Sequence, residues 1–246
     1  MPVIDLIKFI LVLGFLLYAC KLDIESRIVP NRVWKYMLVV TLPFTVFQII
    51  TEPRPELYYM LTGIQILMVI SLAYFLYYIG AYGGADAKAI MCLAVIFPFY
   101  PAYHGFPILN FGFGSFAFST LANSVLAAPA LLAGMFIRNL IVEGVRELKG
   151  NFLYYLTGYR VKVQNLPKFH NLLEYVDEGG KFRRVRRAVE PDDEMIERLI
   201  KKKVDVVWVT PALPFLVFIT AGYIVAFTFG DLLYLLISKV PAILSW

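Results

Sequence analysis

Residues 89–137 read AIMCLAVIFPFYPAYHGFPILNFGFGSFAFSTLANSVLAAPALLAGMFI, a run without a single Asp, Glu, Lys or Arg. Lys88 bounds it on one side and Arg138 on the other. A membrane-spanning helix needs about 20 predominantly apolar residues, so the run is too long for one helix. Pro98, Pro101, His104, Gly105 and Pro107 interrupt it, because proline cannot continue a helix and glycine favours turns. It therefore predicts a fourth helix over about 86–102, an uncharged loop rich in Gly and Phe, and a fifth helix over about 118–142. Working outward, further apolar segments cover 3–20, 34–51, 57–79 and 211–237. The predicted fold is an α-helical polytopic membrane protein with six transmembrane helices.

Composition agrees. Of 246 residues, 60% are hydrophobic and 17% charged, with a mean hydropathy of +0.70. Soluble domains average roughly 45–50% and about 25%, so a cytosolic enzyme is excluded. Two cysteines, Cys20 and Cys92, are too few for a disulfide-stapled secreted scaffold. The first segment carries Asp5 and Lys8, three residues apart on one helical face, which predicts a pair that snorkels to the interface. It lacks a basic lead and a small-residue cleavage site, so it reads as a retained helix rather than a signal peptide.

Charge orients the chain. Of the 23 Lys and Arg, all but Lys8, Arg54 and Lys239 fall in three loops: around 21–35, at Lys88, and from Arg138 to Lys203. The positive-inside rule assigns these loops to the cytoplasm and both termini to the outside of the cell membrane. The only long polar segment, 145–206, is predicted to be a small cytoplasmic α+β insert before the last helix. Phe152 to Leu156 suggest an interfacial amphipathic helix. Residues 159–166 alternate like a strand, and 172–187 read as a hairpin turning at Asp177-Glu178-Gly179-Gly180. Residues from Pro191 to Lys203 form a short helix with acids first and bases last. The predicted domains are 1–144 with helices one to five, the insert 145–206, and 207–246 with the sixth helix. The insert's arginines suit anionic lipid heads; no motif points to nucleic acid.

Chemistry must come from few residues. No Cys/His/carboxylate cluster has metal-ligand spacing, and no phosphate or dinucleotide fingerprint is present. Gly112-Phe113-Gly114-Ser115 has the outline of a serine-nucleophile turn but no acid or Lys to organise it, so it reads as a flexible outer loop. Two aspartates remain. Asp23 sits just past the first helix and Asp86 opens the fourth, both at the predicted cytoplasmic edge of the apolar layer. Two carboxylates brought together cannot both ionise cheaply, so one keeps its proton and the pair supplies a base and an acid. The residues alone leave another reading open: Asp86 as a helix N-cap and Asp23 paired with Lys21 or Arg27.

The run Asp23 to Asn31, with Arg27 and Ile28-Val29-Pro30-Asn31, resembles the first catalytic motif of type IV prepilin peptidases. Gly83-Gly84-Ala85-Asp86 resembles their Gly-x-Gly-Asp signature, with Ala85 where the second glycine belongs. Trp208-Val209-Thr210-Pro211, entering the last helix after an insert, resembles the archaeal branch, the preflagellin peptidases. The resemblance implies a membrane aspartyl endopeptidase with Asp23 and Asp86 catalytic and no cofactor. It further implies cleavage of short basic leaders from archaellin-like or pilin-like precursors at the cytoplasmic face. Gly83, Gly84 and Ala85 would lie along an extended substrate. Glu25, with Glu143 next, is the acidic candidate for a basic leader. A presenilin-like protease fits less well with the early Asp…Pro-Asn motif. A cation or proton carrier fits less well with the absence of an internal repeat.

Overall fold

Prolines and runs of apolar residues set the helix limits. The computed structural model describes residues 2–211 and 214–244. The chain divides into two compact units, 1–128 with 214–246, and 129–213.

The first unit holds α1 (Pro2–Ser26), α2 (Asn31–Thr51), α3 (Glu56–Tyr78), α4 (Gly84–Ile96), the first half of α5 (Phe116–Val142), and two later helices. Pro30 and Pro55 stand as extended N-caps of α2 and α3, where a missing N–H costs nothing. Among the described residues four helices, α1, α2, α3 and α5, are each long and apolar enough to cross a bilayer. Large apolar side chains face outward on them, among them Val39 (69% exposed) and Ile50 (73%). A soluble protein rarely shows such continuous apolar surface; lipid contact accounts for it.

The uncharged stretch that predicts helix four folds as α4, which stops at Ile96 rather than near 102. Phe97 leaves the helical conformation just before Pro98, as residues preceding proline tend to do. At 13 residues, α4 is only about 20 Å long, and its Ala87, Ala89, Ile90, Leu93 and Ile96 are buried. It packs against α2, α3 and α8 (Phe215–Thr228). A helix apolar on all sides belongs inside a bundle.

Ending a helix in an apolar core leaves carbonyls without partners. Thr45 Oγ1 donates to Ile96 O at 2.7 Å, and Lys8 Nζ approaches the same oxygen at 3.5 Å. Lys8 and Asp5 do pair, at 3.5 Å, but they do not snorkel. Lys8 is 1% exposed and donates to Gln48 Oε1 at 2.7 Å. Asp5 accepts from Gln48 Nε2 at 3.3 Å and from Ala102 N at 3.2 Å. The pair is retained inside because it satisfies the end of α4 and the turn beyond it.

The expected single sixth helix is broken. α8 (Phe215–Thr228) and α9 (Leu232–Leu244) meet at Gly230, and their axes bend by 65° up to Lys239. Gly230 has φ +100, and a Cβ there would lie 2.0 Å from Asn110 O, so no other residue fits. The 108–112 loop is not free: Ile108 N donates to Thr228 O and Leu109 N to Phe229 O. Asp231, fully buried, accepts from Ser119 Oγ at 2.9 Å and from Tyr234 N at 2.9 Å. Ser115 Oγ accepts from Phe118 N at the start of α5, a capping duty. Gly222 of α8 lies so near Thr120 and Ser124 of α5 that a Cβ would meet Thr120 O at 2.4 Å, the close approach that small residues permit between membrane helices.

The second unit is an α+β fold. α6 (Phe152–Thr157) precedes β1 (Tyr159–Lys162), and β2 (His170–Val176) and β3 (Phe182–Val189) form the expected hairpin. Gly180 takes φ +73 in its turn. The Asp177 carboxylate accepts from Arg183 Nε and Lys181 N, and these bonds hold it below the usual carboxylate range. α7 (Asp193–Lys201) is capped by Asp192 Oδ1, which accepts from Met195 N at 2.6 Å. Trp208 to Pro211 do not enter a helix: they belong to β4 (Val206–Pro211), the centre of an antiparallel sheet of order β1-β4-β2-β3. Alternation sends Val207 and Val209 with Leu172 and Leu199 to one face, and Trp208 with Leu173 and Tyr155 to the other. Glu174 is buried between Arg184 Nε at 2.6 Å and Trp208 N at 3.1 Å.

Replacing Lys8 by Met strands a buried carboxylate, so K8M should lose about 3–5 kcal/mol of stability. Adding Asp5→Leu should return much of that loss. Thermal unfolding in detergent of K8M and of the double variant tests this; equal melting of K8M and wild type would refute it.

Candidate active site

Asp86 owes its position to two glycines. Gly83 is the N-cap of α4, extended at φ −70, ψ 158, and Gly84 is the first helical residue. Asp86 is thus the third residue of the helix and not its N-cap. Its Oδ2 accepts from Gly83 N at 3.0 Å, the acidic half of a capping box. Its Oδ1 is buried and has no hydrogen-bond partner. A Cβ on Gly83 would come within 3.0 Å of Oδ2, so the glycine leaves the carboxylate its room. The capping reading and the site reading therefore use different oxygens of one side chain.

Asp23 lies inside α1, which runs on to Ser26, and not past its end. Val12, Leu16, Ala19 and Cys20 are buried on α1, and steps of three and four carry that face on to Asp23. Asp23 is partly buried. Cys20 Sγ lies 3.1 Å from Thr220 Oγ1 of α8. Lys88 Nζ donates to Asn31 Oδ1 at 2.7 Å, tying the start of α4 to the start of α2. The two predicted carboxylates therefore share one end of the bundle, where α1 closes and α2 and α4 begin.

Other predicted residues fall at differing distances from this point. Ala85 is partly buried and packs against the bundle core, and Gly84 sits against the Tyr77 ring. Glu25 is exposed and lies 4.0 Å from Lys21 on another face of α1. It lines an open apolar groove of about 550 Å³ between α1 and α8, with Leu17, Cys20, Ile24, Thr220 and Ile224. Glu143 belongs to the second unit, where it pairs with Arg160 at 3.2 Å.

Two further residues stand at this end of the bundle, Tyr82 just before the second motif and Arg27 within the first. Tyr82 stacks on Phe215 with ring centroids 4.6 Å apart. Burial pushes its hydroxyl up to about 12, with the charge of Asp86 adding to the effect, so it stays a neutral donor. Arg27 follows α1 with φ +57 and its N donates to Asp23 O at 3.1 Å. The signal for Arg27 lay in its spacing of four from Asp23; none marked Tyr82. Among the described residues no group of three His, Cys, Asp or Glu could hold a metal ion.

Sequence comparison accords with this geometry. A model of the type IV leader peptidase family matches residues 10–132, and one described as archaeal peptidase A24 C-terminus type II matches 150–232. A protein named preflagellin peptidase from Methanocaldococcus jannaschii is 28% identical over 231 residues, 92% of this chain and 95% of its own. One of the same name from Methanococcus voltae is 28% identical over 233 residues, 88% and 92% of the two chains. Another from Methanococcus maripaludis is 22% identical over 230 residues, 92% and 96%. With a family match spanning residues 10–132 and apolar helices fit to cross a bilayer, the chain belongs to the type IV leader peptidase family and is a membrane peptidase.

Proposed function

We propose that this peptidase removes short basic leaders from archaellin-like or pilin-like precursors, with Asp23 and Asp86 as an aspartyl dyad. The observation that carries the reading is the buried, unpartnered Oδ1 of Asp86 at the start of α4, at the end of the bundle where α1 carries Asp23. A polar atom left so in a core costs stability, and such costs are retained where they serve function. The ionised carboxylate takes a proton from water, whose oxygen attacks the scissile carbonyl. The protonated one gives its proton to the carbonyl oxygen. Collapse of the tetrahedral intermediate breaks the C–N bond, and the amine leaves with a proton from the dyad.

Substrate is proposed to lie extended along Gly83, Gly84 and Ala85, where backbone can come close to Asp86. Glu25, exposed near the end of α1, would receive a basic leader residue. Cleavage is assigned to the cytoplasmic face and both termini to the outside, from the Lys and Arg asymmetry of the loops. Six crossings follow if α4 with the segment after it counts as one and the bent α8–α9 pair as another. The domain scheme of 1–144, 145–206 and 207–246 goes with that topology, and the basic insert would rest on anionic lipid heads.

Two measurements test this. Asp23→Asn and Asp86→Asn should each abolish cleavage of a membrane-inserted precursor, since an amide cannot act as base. D86N should melt no lower than wild type, because it keeps an acceptor for Gly83 N and removes a buried charge. Normal processing by either folded variant would sink the dyad. Topology is separable: a cysteine replacing Gly180 should react with an impermeant thiol reagent from the cytoplasmic side of inverted vesicles, and labelling in intact cells would reverse the orientation.

A further inference from the structure

The 23 residues of α3 make about 34 Å of helix, enough to cross an apolar layer about 30 Å thick. Counted from its start at Glu56, Gln65 stands about 14 Å along that crossing. Its Nε2 donates to Phe113 O at 3.2 Å. Phe113 belongs to the uncharged loop between α4 and α5, so the bond holds that loop at the depth of Gln65. α8 provides a second measure from the opposite side. Its first residue, Phe215, stacks on Tyr82 in the turn between α3 and α4, and its 14 residues reach only about 21 Å from there. At that short end Thr228 O accepts from Ile108 N at 2.9 Å, and Phe229 O from Leu109 N at 3.1 Å. Counted along either helix, the loop lies well inside the apolar layer.

Its chemistry suits that depth. Ile108 (58% exposed), Leu109, Phe111 (51%) and Phe113 face outward, and no charged residue stands between Lys88 and Arg138. Where water is absent, backbone polar groups need partners within the protein. Phe106 and Tyr103 exchange both N–H···O bonds, Gly112 N donates to Asn110 Oδ1 at 2.8 Å, and Gly114 N donates to Phe111 O at 3.0 Å. The Asn110 side chain in turn donates to Asp231 O at 3.3 Å. A loop in water leaves such groups to solvent and rarely turns a run of large apolar side chains outward. Beside it an apolar cavity of about 510 Å³, lined by Val69, Leu72, Phe113 and Phe118, adjoins the exposed Met68 of α3.

We propose that residues 106–115 are the non-helical first part of the fifth membrane crossing, immersed in hydrocarbon, with lipid acyl chains covering Ile108, Leu109, Phe111 and Phe113 and filling the cavity against α3. The occupant follows from the depth, since the medium beside an outward side chain some 14 Å along the crossing is hydrocarbon. α5 then starts inside the bilayer and not at its surface. Gln65, a polar side chain on a lipid-facing helix, is retained because the Phe113 carbonyl needs a donor there. Neither Asp23 nor Asp86 takes part, as both belong to the other end of α4.

The test uses the full chain in phosphatidylcholine nanodiscs, which leave both faces open to water. I108C and F113C carry the fluorophore NBD, and E178C in the exposed hairpin turn is the aqueous control. Label attached at Cys20 and Cys92 is measured on the unsubstituted protein and subtracted. The two loop labels should lose most of their emission to doxyl groups placed on the acyl chains and almost none to iodide, and E178C should show the reverse. Iodide quenching of the loop labels at the level of E178C would put the segment in water and overturn the proposal. Quenching by neither agent would mean a protein cover, a second copy included, and would overturn it too. Thermal unfolding adds a measurement independent of the labels. I108D should melt well below wild type while I108A stays close to it, because hydrocarbon penalises the carboxylate and tolerates the methyl; equal melting of I108D and I108A would also defeat the proposal.

Discussion

The short α4 is the constraint around which the first unit is organised. A helix of 13 residues, most of them buried, ends at Ile96 inside the core, and each of its termini leaves polar backbone groups to satisfy. At Ile96 the solution is Thr45 and Lys8, the latter held by Asp5 and Gln48. At Gly83 the solution is Asp86 itself. The carboxylate proposed to react and the helix cap are one residue, so the position of the proposed chemistry is set by the same bond that starts the helix. Lengthening α4 would remove both requirements and the site with them.

Buried acids elsewhere provide a standard for judging Asp86. Asp5, Glu174 and Asp231 each have both carboxylate oxygens engaged by named donors. Such groups hold a fold together, since a buried acceptor without a donor costs about 1–3 kcal/mol. Asp86 has one oxygen engaged and one open. Burial alone therefore does not set Asp86 apart from the structural acids; the count of donors does. Asp231 illustrates the point from the other side, being fully buried and fully occupied at the break between α8 and α9.

Much of this is legible in the sequence. Apolar runs gave α2, α3 and α5 nearly to their ends, because side-chain transfer from water to lipid dominates such segments. The hairpin is marked by its glycines and α7 by acids at its start and bases at its end, local chemistry that needs no distant partner. Where tertiary partners decide, the reading failed. The burial of Lys8 depends on Gln48 and Ile96, far away in sequence; the break at Gly230 depends on Asn110; and Trp208 to Pro211 are a strand because β1 and β2 flank them. At the site, Asp23 and Asp86 were visible as charges out of place in an apolar chain. Tyr82 and the strained turn at Arg27 were not, since neither a phenol nor a backbone angle announces itself in composition.

β3 lies at one edge of the sheet in the second unit, with an unpaired row of backbone donors and acceptors along its outer side. Arg183, Arg184, Arg186 and Arg187 are strung along that strand. Arg183 is paired with Asp177 and Arg184 with Glu174, so in two copies meeting edge to edge it is the like charges of Arg186 and Arg187 that would oppose strand pairing. The arginines thus act as a colloidal safeguard: crowded side by side in a membrane, neighbouring molecules are denied the sheet-to-sheet contact that their open edges would otherwise invite.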